Sequence, residues 1–201
     1  PANVTITGLP GTVTYGQEFT LAASQTGDTT SANKKWTWDY DQEYFKLVGP
    51  NANTETITLQ AIKAGTPSKG ITATYESGTH KGSATVHPSV TQKEVTVSGI
   101  TAANKEYDGN TDAMVNASGA TITGIVSGDS LTITATGTFA DADVGENKTV
   151  TLTLGTLGGA DSANYTLATA GNQTETKANI TAKDVSISAV TVSDKDYNGN
   201  A

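Results

Sequence analysis

The sequence predicts an all-β protein of two β-sandwich domains in tandem, set in an elongated array. Three observations carry that reading. First, the stretch KEVTVSGITAANKEYDGNT at residues 93–111 returns as KDVSISAVTVSDKDYNGNA at residues 183–201, a shift of 90 positions. Lys93/Lys183, Val95/Val185, Ser98/Ser188, Thr101/Thr191, Lys105/Lys195, Tyr107/Tyr197, Gly109/Gly199 and Asn110/Asn200 match outright, while Glu94/Asp184 and Val97/Ile187 keep charge or size. A period near 90 is one small β-domain, longer than a solenoid unit. Second, short alternating runs bounded by Gly, Asn and Asp recur at a spacing of about 8–12 residues, the mark of a sandwich. Third, no long window carries the i, i+3, i+4, i+7 apolar stripe of a helix.

Taken in order, residues 1–91 form the first domain, with strands expected at 4–7, 19–23, 35–40, 44–48, 55–60, 71–75 and 83–86. Seven strands are an immunoglobulin-like count. Breakers fall where hairpins need them, at Leu9-Pro10-Gly11, Gly49-Pro50-Asn51, Gly65-Thr66-Pro67 and Gly78. The chain then crosses through Val90-Thr91-Gln92-Lys93 into a second domain at 92–182, and leaves it through Ile180-Thr181-Ala182-Lys183. Linkers this short, with no glycine, limit swing and favour a rod.

In the second domain strands are expected at 95–101, 113–117, 121–125, 130–139, 148–154, 165–168 and 174–180. Leu131, Ile133 and Ala135 alternate with Thr132, Thr134 and Thr136, and Val150, Leu152 and Leu154 alternate with Thr149, Thr151 and Thr153. One face of each strand is core and the threonine face is solvated. Residues 183–201 begin a further repeat. Because Val185, Ile187 and Ala189 alternate with serines, the segment is expected to dock over 185–192 as an edge strand on the second domain. By the same logic residues 95–101 are expected to help close the first domain or bridge the junction.

Composition narrows the functional classes. Twelve Lys and Arg against 20 Asp and Glu give a formal charge of -8 and a pI near 4.6, which works against nucleic acid and anionic bilayers as partners. With no Cys, disulfides and thiolate metal sites are excluded. No apolar run near 18 residues occurs, so direct membrane insertion is not expected. The chain opens at Pro1 and stops inside a repeat at Ala201, which reads as a piece of a longer extracellular array.

Three ordered blocks carry a family likeness. KEYDGNT at 105–111, TFADADVG at 138–145 with Lys148-Thr-Val150, and LGGADSANYTL at 157–167 together resemble the YDG repeat of bacterial surface proteins, whose grammar is shared by MBG-type repeats of large adhesins. TYGQEFTL at 14–21, Trp36-Thr-Trp38 and the 63–75 block resemble a bacterial immunoglobulin-like domain. The resemblance implies a non-enzymatic stalk or adhesin module of a Gram-positive surface protein, extracellular and associated with the cell surface or wall. It carries over no catalytic residue, cofactor or metal. The partners it implies are neighbouring repeats of the same parent chain, with a host or environmental glycan or protein as the further candidate.

The residue constellations have two readings each. Trp36, Trp38 and Tyr40 alternate along one strand, so their rings share a face and could stack on sugars. The competing reading puts them in the core of a central strand, opposite Phe45 and Leu47, with at most one Trp fully buried. Those three aromatics are the candidate ligand-binding residues, and the alternative function they support is a glycan-binding accessory module, such as one attached to a surface glycoside hydrolase. Asp39, Asp41 and Glu43 read as a charged hairpin rim, since same-face strand carboxylates point into solvent and enclose no scissile bond. Asp141, Asp143 and Glu146 have calcium-like spacing without a full binding loop and with Lys148 competing. His80 and His87 lack a nucleophile or third ligand. Tyr107-Asp-Gly-Asn reads as a turn with Gly109 at positive φ and Tyr107 packed on its own domain. Lys148 or Lys177 could join an Asn in an isopeptide bond.

Overall fold

The computed structural model describes residues 1–29, 33–49 and 53–199. The first domain contains β1 (Asn3–Thr7), β2 (Val13–Thr14), β3 (Glu18–Thr26), β4 (Lys35–Asp39), β5 (Phe45–Leu47), β6 (Thr56–Ala61), β7 (Ile71–Ser77), β8 (His80–Val86) and β9 (Val90–Thr91). The second contains β10 (Lys93–Ser98), β11 (Thr101–Ala102), β12 (Lys105–Glu106), β13 (Asp112–Ala113), β14 (Val115–Asn116), β15 (Thr121–Thr123), β16 (Thr132–Phe139), β17 (Gly145–Gly158), β18 (Tyr165–Leu167) and β19 (Glu175–Thr181), with one 3-10 turn at Ser162–Asn164. Among the described residues no ladder joins a strand of one domain to a strand of the other.

In the first domain one sheet runs β1-β3-β6-β5 and the other β4-β7-β8. With β2 and β9 set aside, the strands in sequence are A, B, C, D, E, F and G. The two sheets are then A-B-E-D and C-F-G, the immunoglobulin arrangement. β2 leaves the first sheet to pair in parallel with β9, through Val13↔Val90 and Thr14↔Thr91. Alternation places Phe19, Leu21, Ile57 and Leu59 from one sheet against Trp36, Trp38, Ile71, Ala73 and Tyr75 from the other. Leu21, Ile57 and Leu59 are fully buried, each contributing about 1.5–3 kcal/mol. The exposed threonine pairs Thr20–Thr58 and Thr72–Thr85, joined by hydroxyl bonds of 2.8 Å, contribute about 0.2–1 kcal/mol apiece. Core burial therefore outweighs the threonine ladders.

The second domain keeps part of this plan. Its five-stranded sheet, β12-β19-β17-β16-β13, repeats the path of the first domain's C-F-G sheet with β12 added in parallel beside G and β13 antiparallel beside C. The smaller sheet, β15-β10-β18, departs from it, because β10 pairs in parallel with β18 through Lys93↔Tyr165 and Val95↔Leu167. Val97, Ile100, Phe139, Val150 and Ile180 form the core between them. The fold is thus all-β, two tandem β-sandwich domains.

Three expectations need correction. β4 is an edge strand of its sheet and not a central one; its aromatic rings are buried because they face the opposite sheet. β2, β9 and β12 were not expected, since two-residue strands are too short to show alternation. Residues 183–199 form no strand, and Val185, Ile187 and Val192 are 83–90% exposed, so the expected edge strand over 185–192 is not formed. The edge beside the chain's exit is already occupied, as Lys105 and Glu106 of β12 pair with Ile180 and Thr181. Pro50 and Asn51 of one expected turn, and Asn200 and Ala201 of the repeat, lie outside the described residues.

Candidate functional site at the junction between the domains

The two domains meet through a turn that follows β2. Gln17 caps it, its Oε1 accepting the Thr14 amide at 2.9 Å, and Gly16 takes φ +81° to let the backbone reverse. The turn carries the Tyr15 ring into the second domain, where it is 7% exposed. There the ring meets Tyr165 edge to face, centroids 5.3 Å apart at 74°. Both phenols donate to the same oxygen, Oδ2 of Asp129, Tyr15 at 2.8 Å. Burial, followed by the bond to Asp129, raises the Tyr15 phenol far above its ordinary value. The same two causes push Tyr165 up to about 12.

Other contacts close the junction. Val126 covers Gly16 so tightly that a Cβ there would lie 2.6 Å from its Cγ2. The Ala64 amide donates to Asn164 Oδ1 at 2.9 Å, and Gln92 Nε2 to the Ala163 carbonyl at 2.9 Å. Asp161 Oδ2 accepts the Ser130 amide at 2.9 Å, fixing the loop that presents Asp129. Val95 and Tyr165 are buried in one cluster with the first domain's core, and Ile122, Leu157 and Leu167 touch both cores. Residues 95–101 were expected to close the first domain or bridge the junction; Val95 does pack with that domain, while the ladders of β10 stay within the second. Only Gln92 separates β9 from β10.

Trp36 and Trp38 both lie in the first domain's core, 4% and 7% exposed, and Tyr40 packs on its margin. At most one Trp is expected to be fully buried; both indoles turn inward on β4 and each keeps a few per cent of its surface exposed. Trp38 Nε1 donates to the Thr54 carbonyl at 2.9 Å, and Trp36 leans on Tyr75 at 4.9 Å. Trp36 Nε1 is buried without a hydrogen-bond partner among the described residues.

The carboxylates separate. Asp39 pairs with Lys69 at 2.6 Å and Glu43 with Lys63 on the surface. Asp41 is no rim residue: it is buried, its Oδ2 accepting the Ser68 amide and hydroxyl and its Oδ1 the Glu43 amide. Those bonds hold its carboxyl below the usual range. Asp141 is paired with Lys148, and among the described residues no three His, Asp or Glu side chains gather as metal ligands. Lys148 is thus bound to Asp141, and Lys177 Nζ donates to Thr149. His80 Nδ1 lies 4.0 Å from the buried Asp28, which accepts the Tyr75 phenol at 2.7 Å.

Tyr107 corrects another expectation, since it is 42% exposed and not packed on its own domain. The turn around it is as expected, with Gly109 at φ +80°. Lys105 Nζ organises that loop, reaching Asp108 at 2.7 Å and the Asn110 carbonyl at 2.9 Å. Asp129 and Asp28 escaped sequence reasoning because an acid beside a turn glycine looks like turn chemistry. Nothing local says which phenol will reach it.

Residues 91–174 match the family model described as the YDG domain, and a YDG domain is accordingly placed there. Two solved structures are similar to the chain. One is the three N-terminal domains of the bacteriophage RB49 Highly Immunogenic Outer Capsid protein, at 18% identity and TM-score 0.36, over 90% of this chain and 59% of that one. The other is a domain tandem from titin, at 12% identity and TM-score 0.23, over 90% of this chain and 66% of that one. The chain thus spans about three fifths of the length of the capsid fragment it matches. No curated protein matches it in sequence.

Proposed function

We propose that this chain, with its YDG domain at 91–174, is a non-enzymatic extracellular stalk or adhesin module of a bacterial cell-surface protein. The observation that supports it most is the junction. Tyr15 seated between Asp129 and Tyr165, a shared apolar cluster and a one-residue connection hold two sandwiches in series. Fixed serial domains are what a spacer needs, because a coil-like linker lets the outer domain fold back toward its anchor. The absence of positive excess charge suits a partner that is a neighbouring repeat, a protein or a neutral glycan. Antibody against residues 1–201 should label intact cells of the bacterium that makes the protein. Label that appears only after permeabilisation overturns the reading.

One observation favours a second reading, a glycan-binding accessory module. Trp36 lines a cleft of about 210 Å³ together with Ser24, Gln25, Lys34 and Glu55. A polar cleft with an aromatic residue in its lining suits a sugar. A glycan array separates the two: binding by wild type that Trp36→Phe abolishes supports the module, and no binding by either supports the spacer.

A further inference from the structure

The two domains present matching ends. Tyr15 donates its amide to the Thr91 carbonyl at 2.9 Å, and Tyr107 donates its amide to the Thr181 carbonyl at 2.8 Å. Thr14 pairs in parallel with Thr91, and Glu106 in parallel with Thr181. Gly65 bridges Val90 antiparallel, and Gly145 bridges Ile180 antiparallel. Thr91 and Thr181 are themselves 90 positions apart, the period of the sequence repeat. Tyr107 is therefore the counterpart of Tyr15, and Val144 the counterpart of Ala64.

Their surroundings differ. Tyr15 is buried against the second domain, and Ala64 donates to Asn164 across the junction. Tyr107 is 42% and Val144 53% exposed. The end of the YDG domain that holds Tyr107 thus repeats the strand pairing of the first domain's seated end, and among the described residues no domain is seated on it. The chain that leaves this end enters residues 183–199, which repeat 93–109.

We propose that Tyr107 and Val144 form a docking face for a following YDG-type domain, which receives them as Asp129, Asn164 and Tyr165 receive Tyr15 and Ala64. One domain then carries both halves of a head-to-tail contact, Tyr107 and Val144 at its exit and the Asp129–Asn164–Tyr165 socket at its entry. Such a contact is heterologous and propagates along a chain without closing. It also accounts for two of the family-like sequence blocks by one interface: Tyr107-Asp-Gly supplies the inserting turn and Asp161-Ser-Ala-Asn-Tyr165 supplies part of the socket. The proposal deepens the spacer reading by naming what the exit end grips, and rests on it only for the presence of further repeats.

A chain in which residues 1–182 are followed by a second copy of 93–182, with the copy's counterpart of Tyr107 replaced by Phe so that Tyr107 alone is read, tests it. Tyrosines are acetylated with N-acetylimidazole and read by mass spectrometry. In the 201-residue chain Tyr107 should react and Tyr15 should not. In the extended chain Tyr107 should lose reactivity by roughly tenfold or more, because a group closed into an interface reacts only through its open fraction. The reactivity should return when the copy's counterpart of Val126 is replaced by Arg, which fills the space of the turn. If Tyr107 stays as reactive in the extended chain as in the 201-residue chain, while circular dichroism and a cooperative thermal transition show the copy folded, the docking face is refuted. Because no cell is involved, that outcome leaves the intact-cell labelling result to decide the spacer reading separately.

Discussion

Tyr15 and Tyr165 come from different domains yet share one acceptor, Asp129 Oδ2, with their rings in edge-to-face contact at 5.3 Å. The junction's coupling runs through that oxygen. Tyr15→Phe and Asp129→Asn should each destabilise the two-domain unit, and their double-mutant cycle should give a coupling of about 1.5–3 kcal/mol, as for a hydrogen bond to a charged group. Additive effects, measured by urea unfolding, exclude the bond as a contributor.

Alkaline pH should loosen the same contact. Both phenols hold their proton more tightly when folded, Tyr165 up to about 12 against an ordinary value near 10. Their contribution is complete below about pH 10 and is lost as pH rises through about 12. The double variant Tyr15→Phe/Tyr165→Phe has no phenol there to ionise. Its thermal midpoint should fall less than wild type's over that window; parallel curves contradict the account.

Gly16→Ala should open the junction while both sandwiches stay folded. The substitution puts a side chain at φ +81° and 2.6 Å from Val126 Cγ2, a conflict at the interface and not in either core. Small-angle scattering should show a broader range of dimensions than wild type with unchanged circular dichroism. An unchanged scattering profile means that Val126 gives way and the turn stays seated.

Trp36→Ala should lower the stability of the first domain by about 3–5 kcal/mol, the usual cost of emptying a buried indole's place. Trp36→Phe should cost far less, because it keeps most of the ring volume and removes an N–H that has no partner among the described residues. Chemical denaturation ranks the two. An equal loss for both means that the indole N–H is satisfied in solution.

Deleting residues 183–201 should leave the thermal midpoint of the second domain unchanged. Val185, Ile187, Val190 and Val192 are at least 80% exposed, and no ladder reaches residues 183–199. A drop of several degrees on calorimetry shows instead that the segment adds to the domain in solution.

What the sequence alone determined here is local. Alternation along 18–26, 56–61, 71–77 and 145–158 set which side of each strand is apolar, because successive side chains point to opposite faces. The 90-residue repeat and the YDG and Asp-Ser-Ala-Asn-Tyr blocks were legible for the same reason, as was the positive φ of Gly109. The tertiary structure decided everything that depends on distant segments meeting. Trp36 and Trp38 look like a possible sugar platform until the opposing sheet is in place and covers both. The ladders make Tyr15 and Tyr107 counterparts, and the presence of Val126, Asp129 and Tyr165 at one end buries the first while the second is 42% exposed. Asp129 is 114 positions from the phenol it binds, and no periodicity in a chain encodes a contact that the packing of two separate domains creates.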